Sequence, residues 1–591
     1  MASTATTITA KSSAERIFPR LTPAQMARVA AHGRLRPTQR GEVLYEAGDP
    51  APAFFVVTAG EIEILRTEAG REQRFTLFGP GQFTGEVNML SGRRALVRAR
   101  VSESGEVIEM NRERLLTLVQ TDGEISEILM RAFILRRVEL VAQGIGDAVV
   151  IGSNHCSGTL RVKEFLTRNA HPYTYLDLDR DPDVQVLLDR FQVTAHDVPV
   201  LVCRGVTVLR NPTNRQIAEC LGFNETLDPA QVHDLIVVGA GPAGLAASVY
   251  AASEGLDVMA LELTAPGGQA ASSSKIENYL GFPTGISGQA LAGRAFAQAQ
   301  KFGAHVLIAR GAARFACEGK GYAVEIGDAA PLRARAIVIA TGAEYRKPLL
   351  ETIPRFEGVG VYYGATFMEA QLCVGEEAVV IGGGNSAGQA AVFLAQTARR
   401  VHILIRGKGL SQTMSRYLVR RIEDHPAITL HTCTELIELA GEAHLEHVRW
   451  RHNDTGAVED HDIRHVFIMA GATPATQWLG TCLALDAKGF IKTGPDLSQE
   501  DLSEAAWPLA RAPFLLETSL PGVFAVGDVR AGNLKRVAPP WARDRSPFPS
   551  CTVCWPNKEP EHAPTGVHAS GRNHNRQAAQ AARVRRVRQE R

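Results

Sequence analysis

The sequence predicts a multidomain chain in which a short-stranded β unit precedes a series of α/β units. Three observations carry this expectation. At 591 residues the chain exceeds what one hydrophobic core sustains, so roughly three to five domains are expected. Its first part alternates short apolar strands with glycine-marked turns. The remainder alternates apolar strand runs with helical segments, and twice a Gly-rich turn joins strand to helix.

Composition narrows the functional classes. The chain is 45% hydrophobic and 21% charged, as a globular protein should be. A net charge of +1 lacks the basic excess of a duplex binder, so no nucleic-acid partner is expected. No apolar run reaches the roughly 20 residues that span a bilayer, and MASTATTITAKSSAERIF holds no apolar signal-peptide core. No membrane association is expected either. Nine scattered cysteines, an odd count, do not make a secreted disulfide framework and point to a reducing cytoplasm.

Residues 15–145 open with a helical stretch. The strands GEVLYEAGDP, AFFVVTAGEIEIL, QRFTLFGPGQF and VRARVSESGEVIEM follow, implying a small β-barrel or sandwich. NRERLLTLVQ and EISEILMRAFILRRVELVAQ then read as helices. Residues 147–225 alternate: VVIGS, YTYLDLD and VPVLVC as strands, LRVKEFLTRN, PDVQVLLDRF and RQIAECLGF as helices. From Asp234 to Ala538 the α/β pattern continues on a larger scale. Residues 539–591 are Pro-rich, then His- and Arg-rich, and read as a poorly ordered basic tail.

DLIVVGAGPAGLAASVYAASEGLDVMALE reads strand, turn, helix, strand. Gly239, Gly241 and Gly244 supply the tight turn, the close approach to a pyrophosphate and the helix–strand packing. Glu262 ends the second strand, where a carboxylate meets ribose hydroxyls. EAVVIGGGNSAGQAAVFLAQTARRVHILIRG repeats the arrangement, with Gly382, Gly384 and Ala387 at the fingerprint positions and Asn385 and Ser386 opening the helix. Its second strand ends on Arg406, a guanidinium suited to the 2′-phosphate of NADPH; a solvated surface arginine is the alternative.

Five ordered motifs, GAGPAG, APGGQA with ENYLGFP, IVIATGA, VIGGGNSA and PGVFAVGDVRAG, make residues 232–538 resemble the thioredoxin reductase family of pyridine nucleotide–disulfide oxidoreductases. The resemblance implies two nested Rossmann-like domains. FAD would occupy 232–349 with 474–538, and NADPH 350–473. It further implies that Gly267, Gly268, Gln269 and Asn278 approach the flavin and that Gly527 and Asp528 meet its ribityl chain. Hydride would pass from NADPH to the flavin, and the chain would form a homodimer.

The family's dithiol position is occupied here by Gly364, Ala365, Thr366 and Phe367, so both sulfurs are absent. Relatives without that pair, such as the thioredoxin reductase-like ferredoxin–NADP reductases, pass electrons directly to an external acceptor. The acceptor here, a protein or a small molecule, is left unidentified. Cys373 reads as a buried small residue.

Two other thiol sites compete. Cys156 opens a helix, where the dipole favours a thiolate, and 147–225 resembles a glutaredoxin or thioredoxin-like domain with Pro199 facing the thiol. The second cysteine of that motif is Thr159, leaving at most a monothiol. Cys551 and Cys554 resemble a transplanted dithiol, or half a metal site with His562 and His568, although no metal is expected. The tail also stands where the family has a helix beside the flavin, starting at Lys535 and stopped by Pro539 and Pro540.

QFTGEVNMLSGRRALVRARV resembles the phosphate-binding cassette of cyclic nucleotide-binding domains, which are β-rolls with flanking helices. Gly85 and Glu86 would meet the ribose and Arg93 the cyclic phosphate; a structural remnant is the alternative. The loop between Glu86 and Arg93 is short, and Arg94 stands where a small residue usually follows. No helix-turn-helix accompanies the module. A non-catalytic sensor of redox state and cyclic nucleotide is therefore a rival to an enzyme.

Overall fold

A computed structural model describes residues 16–532, apart from 69–70, 144–147, 154–155, 180–196, 205–206, 274, 278, 317–320, 328, 347, 349, 366, 412 and 443. Asn278, Thr366, the expected helix PDVQVLLDRF, and the tail with Cys551 and Cys554 lie outside the described residues.

Helix α1 (Pro23–Ala30) starts on a capping box, Thr22 with Gln25. Strands β1 (Arg34–Thr38), β2 (Val43–Tyr45), β3 (Phe54–Glu68), β4 (Arg71–Phe78) and β5 (Arg98–Met110) form an antiparallel sheet ordered β1-β5-β3-β4, with β2 on β5. Helix α2 (Asn88–Ser91) sits in the connection before β5. Helices α3 (Arg112–Thr121) and α4 (Gly123–Ala142) close the unit. Asp122 caps α4 by accepting from the Ile125 N–H at 3.0 Å. The apolar positions of the sheet bury Phe54 and Phe83 against Phe133 of α4. No described helix is long and apolar enough to cross a membrane.

The second unit has β6 (Ala148–Gly152), α5 (Ser157–Arg168), β7 (Tyr173–Asp177), β8 (Val200–Cys203), β9 (Thr207–Arg210) and α6 (Asn214–Leu221). Its sheet runs β7-β6-β8-β9, with β6 and β7 parallel and the other pairs antiparallel.

The third sheet is built on β10 (Val232–Val238), whose run from His233 is buried on both faces, as a central parallel strand should be. Around it lie β11 (Val258–Glu262), β12 (His305–Ile308), β13 (Arg314–Ala316), β14 (Tyr322–Glu325) and β15 (Leu332–Ile339). The order is β12-β11-β10-β15-β14-β13. Helices α7 (Pro242–Ser253) and α8 (Gly288–Lys301) accompany it. The chain then leaves through β16 (Ala343–Tyr345) for a fourth unit.

That unit has a parallel sheet of β17 (Val361–Tyr362), β18 (Glu377–Ile381), β19 (Arg400–Leu404), β20 (Ile428–His431) and β24 (His465–Ile468), ordered β17-β24-β18-β19-β20. Helices α9 (Asn385–Leu394) and α10 (Arg416–Glu423) pack beside it. Strands β21 (Thr434–Ala440), β22 (His447–His452) and β23 (Val458–His461) make a separate antiparallel sheet. The chain returns through β25 (Ala472–Pro474), which pairs with β16, and β26 (Val523–Ala525) completes the third sheet beside β15. The fourth unit thus lies between β16 and β25, within the chain that builds the third sheet. Cys482 is disulfide-bonded, which the scattered cysteines gave no reason to expect.

Candidate functional site

Both Gly-rich turns open on one cavity of about 2050 Å³. It lies at the carboxyl ends of parallel strands, where α/β sheets place their ligands. Gly239, Gly241, Glu262, Gly268, Gln269, Gly527 and Asp528 line it from one fold, and Gly382, Gly384, Asn385, Ser386 and Arg406 from the other. Gly244 and Ala387 lie behind the turns, buried in helix packing.

The first turn has no room for a side chain at Gly239 or Gly244. A Cβ at Gly239 would lie 2.4 Å from the Ala340 carbonyl oxygen, and one at Gly244 would lie 1.8 Å from that of Gly239. Gly241 caps α7 and faces Gly268, whose own Cβ would come 3.1 Å from the Gly241 Cα. Bare backbone therefore faces the cavity beside a helix N-terminus, which is the surface a pyrophosphate needs. Gln269 donates from Nε2 to the Ala343 carbonyl, tying its segment to the start of β16. Gly527 has a positive φ of 73° and packs its turn against Ala243 at the start of α7.

Glu262 is buried and accepts three backbone N–H groups: Ala240 and Thr264 at 2.9 Å, and Ala265 at 3.2 Å. Two fall on Oε1 and one on Oε2. A carboxylate has about four lone-pair positions, so Oε2 keeps one for a ribose hydroxyl. Burial pushes its carboxyl up, opposed by the Thr264 and Ala240 N–H groups and by Arg168. This remaining acceptor and the glycine-lined turn fit the ADP half of FAD.

The second turn is looser. Gly382 is pinned by the Met469 carbonyl, but a Cβ at Gly384 would meet nothing within 4 Å. Asn385 accepts from the Ser415 N–H at 2.7 Å, and Thr413 donates to the Gly383 carbonyl at 2.6 Å. Arg406 is exposed beside Lys408, and both line the cavity. A guanidinium and an ammonium at the end of β19 fit a 2′-phosphate.

The segment at the dithiol position borders this site. A Cβ on Gly364 would lie 3.7 Å from that of Ser272, in the short 3-10 turn Gly268–Ser272. Cys373 follows the helix Phe367–Leu372 and is fully buried; its thiol donates to the Glu369 carbonyl at 3.2 Å. Burial, with Glu376 and Glu369, pushes that thiol up to about 12. Cys156 caps α5 and is half-buried, outside the cavity lining. Gly158 packs on Pro199, its Cβ position lying 2.8 Å from the ring Cδ.

Arg93 does not share a cavity wall with Gly85 and Glu86. Those two residues line a narrow cavity of about 50 Å³ in the N-terminal unit, whereas Arg93 is absent from its walls. Its guanidinium lies between the rings of Phe223 and Phe296, 4.8 and 5.3 Å from their centroids. That guanidinium so packs on rings from two other units, and burial, aided by Arg137 and opposed by Glu86, lowers it to about 9. Glu86 pairs with Arg137 at 3.4 Å. The residue that sequence reasoning missed is Arg168, which reaches the large cavity from α5. No motif surrounds it.

Two Gly-rich folds that empty into one cavity have the architecture of oxidoreductases that bring two dinucleotides together. The chain belongs to the pyridine nucleotide-disulphide oxidoreductase family, whose profile matches residues 233–567. That match runs past Ala538 into the segment whose composition reads as a tail. A cyclic nucleotide-binding domain profile matches residues 35–122. Thioredoxin reductase of Bacillus subtilis (strain 168) is 31% identical over 309 residues, 52% of this chain and 90% of its own. The Mycolicibacterium smegmatis thioredoxin reductase is 32% identical over 298 residues, 50% of this chain and 88% of its own. NADPH-dependent thioredoxin reductase 3 of Arabidopsis thaliana is 29% identical over 343 residues, 55% of this chain and 61% of its own. A crystal structure of Lactococcus lactis thioredoxin reductase aligns with a TM-score of 0.46 at 25% identity, covering 52% of this chain and 93% of that one. Thioredoxin reductases use FAD and NADPH.

Proposed function

We propose that the chain is an FAD-dependent NADPH oxidoreductase that passes electrons to an acceptor other than a dithiol at Gly364 and Phe367. The single cavity shared by both Gly-rich turns carries this reading. We assign FAD to 232–349 with 474–538 and NADPH to 350–473. FAD held there would supply a hydride-accepting, electron-donating flavin. The residues bind and orient: Gly239, Gly241 and Gly268 offer backbone to the pyrophosphate, Glu262 one acceptor to a ribose, and Arg406 with Lys408 cations to the 2′-phosphate. Glycine and phenylalanine carry no electrons, so the step after the flavin leaves the usual route.

The experiment is an anaerobic titration of purified protein. Flavin absorbance that bleaches faster with NADPH than with NADH is the expected result. Bleaching by NADH alone overturns the role of Arg406, and absence of flavin overturns the reading.

A second reading routes electrons through Cys156 in a glutaredoxin-like domain over 147–225. The strand order β7-β6-β8-β9 supports it, as does the approach of α5 to the nucleotide-binding insert: a Cβ on Gly358 would lie 3.0 Å from that of Ser157. Unchanged NADPH-dependent disulfide reduction in Cys156→Ser would end this route. The sensor reading draws less support, since Arg93 packs between Phe223 and Phe296 and does not line the cavity of Gly85 and Glu86. Calorimetry with cyclic AMP and cyclic GMP tests it, and heat at micromolar ligand would restore it.

A further inference from the structure

The cofactor cavity has a wall that neither nucleotide fold supplies. Helix α5 belongs to the second unit, yet its last residue, Arg168, lines the cavity with Gly239, Gly241, Glu262 and Gly268. The placement is built from several contacts. Arg168 donates from Nη2 to the Gly268 carbonyl at 2.9 Å, and Asn169 donates to the Thr264 carbonyl at 3.2 Å. Gln289 of α8 donates back to the Thr167 carbonyl at 2.7 Å. The end of α5 is thereby fixed on the loop that follows Glu262.

The guanidinium is incompletely used there. Its ion pair with Glu164 is long, at 3.4 Å and on the same helix, and its Nε is buried with no partner. A buried donor left unmade costs stability, and a guanidinium offers five donors in a planar fork suited to phosphate. Glu262, on the same wall, already holds three N–H groups. Its carboxylate therefore leaves Arg168 only a partial counter-charge.

We propose that Arg168 is a dinucleotide-binding residue, a cation lent by the second unit to the ADP half of FAD. The place follows from its neighbours: Glu262 marks the ribose and the turn at Gly239 and Gly241 marks the pyrophosphate. A diphosphate beside that turn satisfies the guanidinium as no protein group does. This rests on the flavoenzyme reading above. It makes the second unit part of the cofactor site, whether or not Cys156 is redox-active.

The test uses the full chain stripped of flavin and titrated with FAD, ADP and FMN. Arg168→Gln keeps a donor for the Gly268 carbonyl while removing the charge. Arg168→Met removes both. Charge-assisted contacts of this kind predict roughly ten- to hundredfold weaker binding of FAD and ADP in each variant, with FMN unchanged. Melting of the ligand-free Arg168→Gln protein should match wild type, which separates binding from loop clamping. Wild-type ADP affinity in Arg168→Gln overturns the proposal, as does equal weakening for FMN. If the wild-type chain itself binds neither FAD nor ADP, the flavoenzyme reading falls first.

Discussion

The two Gly-rich folds share a topology and differ in how tightly they are held. In the first, Cβ positions at Gly239 and Gly244 run into carbonyl oxygens, the acid at the strand end is buried under three N–H groups, and a neighbouring unit closes one wall. In the second, Gly382 is pinned by a carbonyl much as Gly239 is, but alanine stands at the third fingerprint position and Arg406 is exposed. The contrast matches the two tasks. A resident cofactor needs a preorganised, desolvated seat, whereas a nucleotide that arrives and leaves needs an open one with charge at its rim.

The sharpest way to break this contrast is to exchange the third fingerprint residues. Gly244→Ala should abolish flavin retention, with bound FAD falling below about a tenth of wild type, because the added methyl meets the Gly239 oxygen. Ala387→Gly should cost only about 1 kcal/mol of local helix stability and leave flavin content alone. Absorbance per mole of protein measures both. Equal losses would show the folds to be equally constrained.

Next is Arg406→Ala. Loss of one charge-assisted phosphate contact should raise KM for NADPH about tenfold and leave that for NADH unchanged. A parallel rise for both nucleotides would remove the 2′-phosphate role.

Acid should separate the folds more gently. His402 lies between His431 at 3.0 Å and Glu377 at 3.4 Å, with Trp450 packed against both rings and stacked on His461. Burial, with His431, lowers His402; burial, with His461, lowers His431, while Glu377 and Glu459 oppose. A histidine lowered in the folded chain contributes stability that is complete above the unfolded value of about 6.5. That contribution is lost as pH falls, because the unfolded chain takes protons first. Trp450 emission during melting should therefore move down by a few degrees between pH 7.5 and 5.5, and His402→Gln should flatten the shift. A pH-independent melt would sink this account.

The smallest effect is an inertness. Cys373, buried and pushed up to about 12, should resist alkylation at pH 8 in the native chain while half-buried Cys156 reacts. Peptide mapping of labelled protein distinguishes them. Rapid labelling of Cys373 would reopen it as a stand-in for the missing dithiol.

What the sequence reveals is local. Strand, turn, helix and second strand follow one another within some thirty residues, so periodicity and glycine spacing by themselves mark both fingerprints. Long-range partners leave no such trace. Arg93 stands in a recognisable cassette, but its direction is decided by Phe223 and Phe296, which lie far along the chain in other units. Arg168 ends an ordinary helix about a hundred residues before Gly268, and nothing nearby in sequence marks it as facing a cavity. Cys373 was legible as a buried small residue because a lone cysteine among apolar neighbours usually packs.

The two-stranded ribbon has a consequence for how such a chain can change. Ala343 faces Pro474, and Tyr345 faces Ala472, so the way in and the way out are hydrogen-bonded neighbours. From the standpoint of the flavin half, everything between them is one long excursion that ends where it began. A recombination event that exchanged the coding segment for 346–471 would leave the backbone path of the remaining half untouched. Arg406, proposed to read the 2′-phosphate, and Gly364 with Phe367 lie together on that cartridge.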